Sequence, residues 1–270
     1  MTTPPYEQTY RDLLGQWPVP SLQRHLPTRE GDTFVISSGP EDAPPLVLLH
    51  GSNSNSLMWM ADIESWSMNF RVHAVDTIGD PGLSEWSRPP LASGRYAPWL
   101  ADVFDALDLD EAAIVGVSLG GWFAIDFAIS QPERVTRMAL MCPGGVGRQK
   151  YGKLLVAPLL MLFGDWGRRK TFKLIAGIDH DYSVELNRQS KPRREKLPVF
   201  TDEQLAQLTK PLYVAVGGRD AMLDSRETKA RLERNVPHVT VDLRPEAGHF
   251  VPGVSGAVLD FLAKSDPTLR

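Results

Sequence analysis

Ser118 stands in Gly116-Val117-Ser118-Leu119-Gly120, with a glycine two positions to either side. That is the spacing a nucleophile needs on a sharp strand-to-helix turn, where larger neighbours would keep strand and helix apart. A serine hydroxyl attacks poorly at neutral pH unless a base takes its proton, so a histidine within reach is required. His249, in Ala247-Gly248-His249-Phe250, follows the last apolar run and precedes the final helix-like segment, which puts it at the same end of a parallel sheet as Ser118. The imidazole needs a carboxylate to hold one tautomer, and Asp220 stands after the preceding run in Gly217-Gly218-Arg219-Asp220. Asp224 is its rival, and reads as a helix N-cap before Arg226 and Glu227.

Acyl transfer at such a serine also needs two donors for the developing oxyanion. The backbone amide of Leu119 supplies the first; the Ser52 amide, in His50-Gly51-Ser52, supplies the second, with Gly51 allowing close approach. His50 reads as a residue that fixes its loop by side-chain hydrogen bonds rather than as a base. The stretch from Asp76 to Ser84 lacks the lysine of a nucleotide loop and the ligand alternation of a calcium loop, so it reads as a turn network closing a strand. No cofactor or metal is expected, and Gly144-Gly145-Val146-Gly147 is too isolated to argue for a dinucleotide.

These residues must be positioned by a sheet. Short apolar or β-branched runs at 33–37, 46–49, 72–75, 113–117, 138–141, 212–216 and 239–243 predict strands, the first in an antiparallel hairpin. Leu100, Val103, Phe104 and Leu107 recur at helical spacing, and 121–129, 226–236 and 254–263 predict further helices. Alternation of strand and helix predicts a mainly parallel sheet flanked by helices. The stretch 144–208 interrupts it with helical patches, so the chain divides into an N-terminal arm (1–32), a core (33–143 and 209–270) and an inserted helical cap (144–208). Within the cap, Leu154, Leu155, Leu159, Leu160, Met161, Leu162, Phe163 and Trp166 offer apolar surface for an acyl pocket, with Leu159 and Phe163 as substrate-pocket candidates; the plain alternative is packing onto the core. The basic residues around that segment read as a solvated rim.

Composition narrows the partners. With 29 basic and 33 acidic residues interspersed, the net charge of -4 gives no field to gather nucleic acid or an anionic membrane, and a small-molecule substrate is expected. A single cysteine, Cys142, fits a reducing compartment, and with no secretion signal apparent the cytoplasm is expected. The most apolar stretch, 154–163, is far shorter than the roughly 20 residues of a membrane span.

Taken together, His50-Gly51, Asp76 with Gly79 and Ser84, Gly116 to Gly121, Pro132-Glu133-Arg134-Val135, Gly217 with Asp220, and Gly248-His249 resemble an α/β-hydrolase from about residue 33 onward. The wording of Val75 to Asp80, Tyr96 to Asp105 and Val199 to Glu203 resembles bacterial carboxylesterases of the carboxylesterase NP type. The resemblance implies hydrolysis of carboxylic esters. Met141-Cys142-Pro143-Gly144-Gly145 also resembles meta-cleavage-product hydrolases, which split carbon-carbon bonds, but His50-Gly51-Ser52-Asn53 and Phe250 depart from their pattern. Cofactor-free haloperoxidases share the same three residues, whereas haloalkane dehalogenases and epoxide hydrolases carry aspartate where Ser118 stands. A non-enzymatic alternative is a small-molecule receptor on the same fold.

Overall fold

The computed structural model describes residues 5–150, 152, 159–160, 162–175, 181–190 and 192–264. Its centre is an eight-stranded sheet: β1 (Ser21–Thr28), β2 (Gly31–Ser38), β3 (Pro45–Leu49), β4 (Arg71–Val75), β5 (Ala112–Val117), β6 (Val135–Met141), β7 (Leu212–Gly217) and β8 (Val239–Arg244). Their spatial order is β1-β2-β4-β3-β5-β6-β7-β8. β1 and β2 form an antiparallel hairpin, β2 meets β4 antiparallel, and every later pairing is parallel. β7 is buried at every position and β5 at all but its last, which explains why those strands are continuous apolar runs: parallel strands covered on both sides have no solvent face to alternate with.

Two apolar layers cover the sheet. On one face pack α3 (Tyr96–Ala106), α4 (Leu119–Ser130) and α8 (Ser225–Asn235), through residues such as Trp99, Phe104, Phe123, Phe127 and Leu232. On the other lie α1 (Pro5–Leu14), the short α2 (Ile63–Trp66) and α9 (Ser255–Ala263), through Tyr10, Leu14, Trp66 and Val258. Between β6 and β7 the described residues form α5 (Gly164–Ile175), α6 (Asp181–Gln189) and the one-turn α7 (Asp202–Leu205), with no strand among them. The apolar positions 154, 155 and 161 of this stretch lie outside the described residues. No helix among the described residues is long and apolar enough to cross a membrane.

All seven strands expected from the sequence are present; β1 and α1 are additions to that reading. The expected arm therefore contributes a sheet strand: Ser21 to Thr28 pairs along its whole length with Ser38 to Gly31. Its sequence hides this because β1 is an edge strand whose residues are mostly exposed, so few apolar positions mark it. α1 carries a clearer signal, Tyr6, Tyr10 and Leu14 four residues apart, and all three are buried.

α4, which begins at the nucleophile turn, is apolar nearly all round and carries a single charged residue. Asp126 accepts a hydrogen bond from the Ala97 amide in the first turn of α3, a helix whose own N-cap residue makes no side-chain cap. Its other oxygen is buried without a partner, and burial pushes the carboxyl up to about 6. The folded chain thus holds this proton more tightly than the unfolded chain does. Its contribution to stability is present below the ordinary carboxylate range and is lost as pH rises through about 6. Measured by urea titration at a series of pH values, the stability of Asp126→Asn relative to wild type should shift in the variant's favour by on the order of 1–2 kcal/mol between pH 4 and 7. An unchanged difference would show that this carboxyl titrates normally.

Candidate active site

The parallel strands all end on one side, and the loops after β3 and β5 leave the sheet there in opposite directions, opening a crevice above the middle strands. Ser118 sits in it. It joins β5 to α4 with φ 52° and ψ −108°, a conformation that costs a non-glycine residue on the order of 1–3 kcal/mol. Surrounding bonds hold it there: the Ser118 amide donates to Met141 O at 2.9 Å, and Ser118 O accepts from Trp122 N and Gly144 N. The flanking glycines make the geometry possible. A Cβ on Gly116 would lie 2.7 Å from Gly120 O, and one on Gly120 would lie 2.1 Å from Leu49 O. The turn cannot close around any larger side chain at either position.

His249 follows β8, with its Nε2 3.0 Å from Ser118 Oγ and its Nδ1 2.8 Å from Asp220 Oδ2. Because a carboxylate only accepts, Nδ1 carries the hydrogen and Nε2 is left to receive the serine proton. Asp220 follows β7, and its second oxygen accepts from the amides of Met222 (2.7 Å) and Leu223 (3.0 Å). Burial pushes this carboxyl up, but the bond from His249 and the two amides outweigh it and hold Asp220 below the usual carboxylate range. The ends of β7 and β8 come together because Gly217 has no side chain: a Cβ there would lie 1.9 Å from Gly248 O. Asp224 does something else. Its side chain caps α8, accepting from Glu227 N at 3.1 Å.

Cys142, just after β6, was not singled out by sequence as part of this cluster. It adopts φ 45°, unusual for a side-chain-bearing residue, and its amide donates to Ala215 O. Its sulfur, an Asp220 oxygen and a His249 nitrogen all lie within 4.8 Å of one another. That spacing could suit a soft metal ion, but the Asp220–His249 hydrogen bond already joins two of the three ligands. Burial and the neighbouring carboxylate push the thiol well above its usual range, leaving it a protonated donor to Asp220.

The loop after β3 comes up against the serine: a Cβ on Gly51 would lie 3.7 Å from Ser118 Cβ. His50 holds this loop. Its Nε2 accepts from Thr77 N at 2.9 Å and its Nδ1 faces Gly51 O at 2.8 Å, which together set the Nδ1–H tautomer and occupy both nitrogens. Ser52 is exposed, while Leu119 is buried at the first turn of α4. Behind the loop, Asp76 is fully buried and accepts from Tyr10 Oη, Ser56 N and Ser56 Oγ on one oxygen and from Leu83 N on the other. The stretch from Asp76 to Ser84 is thus a turn network, with the Ser84 hydroxyl donating to Asp76 O. Leu159 and Phe163 are 61% and 63% exposed, so neither is consumed by packing onto the core.

A strained serine on a strand-to-helix turn, a histidine and a buried carboxylate at successive strand ends define a hydrolase of the doubly wound type. The chain belongs to the alpha/beta hydrolase family, which it matches over residues 46–260. It is 36% identical to the uncharacterized carboxylesterase nap of Bacillus subtilis, over 91% of this chain and 86% of that one. The crystal structure of carboxylesterase CesB (YbfK) from Bacillus subtilis superposes with a TM-score of 0.83 at 32% identity, covering 97% of this chain and 98% of that one. Naproxen esterase (carboxylesterase NP) from Bacillus subtilis gives a TM-score of 0.79 at 33% identity over 95% and 92% of the two chains.

The two carboxylates near this site should fail differently. Asp220→Asn keeps the size but favours the wrong imidazole tautomer, and kcat for an ester substrate is expected to fall on the order of 10⁴-fold. Asp224→Asn should stay within a few-fold, because asparagine caps helices about as well as aspartate. Steady-state kinetics on both folded variants would reverse the assignment if the losses were interchanged.

Proposed function

We propose that the protein hydrolyses carboxylic esters of small molecules through an acyl-enzyme on Ser118. The observation that carries this reading is the unbroken chain of hydrogen bonds from Ser118 through His249 to Asp220, at 3.0 and 2.8 Å, on a fold shared with carboxylesterases. Ser118 Oγ attacks the ester carbonyl as His249 Nε2 takes its proton, and Asp220 stabilises the resulting imidazolium. The tetrahedral oxyanion is held by the amides of Ser52 and Leu119. Its collapse breaks the bond to the alcohol, which leaves with the proton from His249. Water, deprotonated by the same imidazole, then attacks the acyl group and releases the acid and free Ser118. Every proton in the cycle passes through His249, so no cofactor is required.

In the same reading, residues 33–143 and 209–270 are the catalytic core, 144–208 a cap, and 1–32 an arm that lends β1 to the sheet. Exposed Leu159 and Phe163, with Leu162 and Trp166 nearby in sequence, are apolar surface available to an acyl chain. The single cysteine supports a cytoplasmic setting.

Two experiments test the mechanism. Ser118→Ala should abolish turnover of p-nitrophenyl esters and labelling by a fluorophosphonate while leaving the circular dichroism spectrum unchanged; mass spectrometry placing the adduct on any other residue would refute the assignment. For the oxyanion hole, Ser52→Ala should keep most activity since the donor is backbone, whereas Ser52→Pro removes the N–H and should lower kcat about 10²- to 10³-fold. Equal and severe losses in both folded variants would point to the Ser52 hydroxyl instead.

A further inference from the structure

The loop that carries Ser52 is gripped from two sides. From beneath, the stretch after β4 holds it: the Asn53 amide donates to Asp80 Oδ1 at 3.0 Å, and Asn55 Nδ2 donates to Pro81 O at 2.8 Å. From above, two side chains at the two ends of α6 reach it. The Ser190 hydroxyl, just past the helix, donates to Asn53 Oδ1 at 2.7 Å. At the other end Tyr182 Oη accepts from Asn55 Nδ2 at 2.7 Å. These contacts join residues 137 and 127 positions apart.

The grip falls where backbone geometry matters most. Asn53 adopts φ 57°, a left-handed conformation that a non-glycine residue holds only with local support, and it is bonded directly to Ser52. Asn55 is buried; besides its bonds to Pro81 and Tyr182, its Oδ1 accepts from Leu57 N, capping the turn Ser56–Trp59. Ser190 also lines an open pocket of about 510 Å³, together with Tyr6, Glu7, His25, Trp86 and Gln189, so the Ser190–Asn53 bond lies at the edge of the packed structure. An oxyanion donor is effective only when fixed before the charge develops, and a misplacement of about 1 Å can cost on the order of 10²-fold in rate.

Resting on the oxyanion-hole reading above, we propose that Ser190 and Tyr182 are positioning residues that clamp the Asn53–Asn55 loop and so hold the Ser52 amide in register with Ser118. Neither touches the reacting atoms. The clamp links α6 to the rate of the chemical step, because a shift of the helix reaches the oxyanion donor through two side-chain hydrogen bonds.

The test compares Ser190→Ala, Tyr182→Phe, their double variant and Ser190→Thr, which keeps the hydroxyl. Against a short p-nitrophenyl ester, the double variant should lose about tenfold in kcat with KM within about twofold of wild type, and Ser190→Thr should retain most of the rate. Affinity for a trifluoromethyl ketone, whose adduct with Ser118 places an oxyanion in the hole, should fall in parallel with kcat/KM, and the variants should remain fully folded at the assay temperature by thermal unfolding. A double variant that keeps its kcat and its ketone affinity would overturn the proposal, as would a rise in KM alone, which would mark these side chains as substrate contacts. Ser52→Pro separates the two levels. If it is inactive while the clamp variants are normal, the clamp fails and the oxyanion hole stands; if it is fully active, both fall.

Discussion

The structure depends on one strained residue. Ser118 is held at φ 52° and ψ −108°, and the local fold can be read as the set of conditions that make this tolerable. Gly116 and Gly120 remove the side chains that would collide with the Gly120 and Leu49 carbonyls, letting α4 lie directly across the ends of β5 and β3. The bonds of Ser118 N to Met141 O and of Gly144 N to Ser118 O tie the turn to β6 and to the chain beyond it. A strained conformation persists only where its neighbours over-determine it, and here they are strands buried on both faces. The hydroxyl is thereby lifted out of the sheet toward His249.

Around that point the other groups are placed by strand ends rather than by one another. β7 delivers Asp220, β8 delivers His249, and the loop after β3 delivers Gly51 and Ser52, each a short distance past its strand. The carboxylates sort by their surroundings. Asp220 receives one imidazole N–H and two amides and is held ionised, whereas Asp126, with one amide and one bare oxygen, is pushed up to about 6. Hydrogen-bond supply, more than depth of burial, decides in which direction a buried carboxyl is shifted.

Much of this was legible in the sequence, for identifiable reasons. The central strands announce themselves because a parallel sheet covered on both faces needs unbroken apolar runs, and the glycine spacing around Ser118 is a steric requirement that leaves a spelling. Asp224 could be separated from Asp220 because capping a helix and following a strand are different local positions. β1 escaped notice since an exposed edge strand has no apolar alternation to read. Cys142 escaped because nothing in a lone cysteine announces a left-handed turn that aims its sulfur at Asp220. The bonds from Ser190 and Tyr182 to Asn53 and Asn55 are polar contacts across more than a hundred residues, formed between side chains ordinary for any surface loop. Periodicity finds what is buried against a layer; it does not find hydrogen bonds between layers.

The link from Tyr10 to Asp76 bears on the order in which the molecule assembles. α1 has ten residues, too few to be stable alone in water, and its anchoring hydroxyl meets a carboxylate 66 positions later. That carboxylate takes up its place only when β4 has joined the sheet, so α1 can make this bond only after the four strands that follow it in the chain are in place. Docking of α1 thereby supplies one of the donors to the buried carboxylate that anchors Ser56, immediately after the Asn53–Asn55 loop.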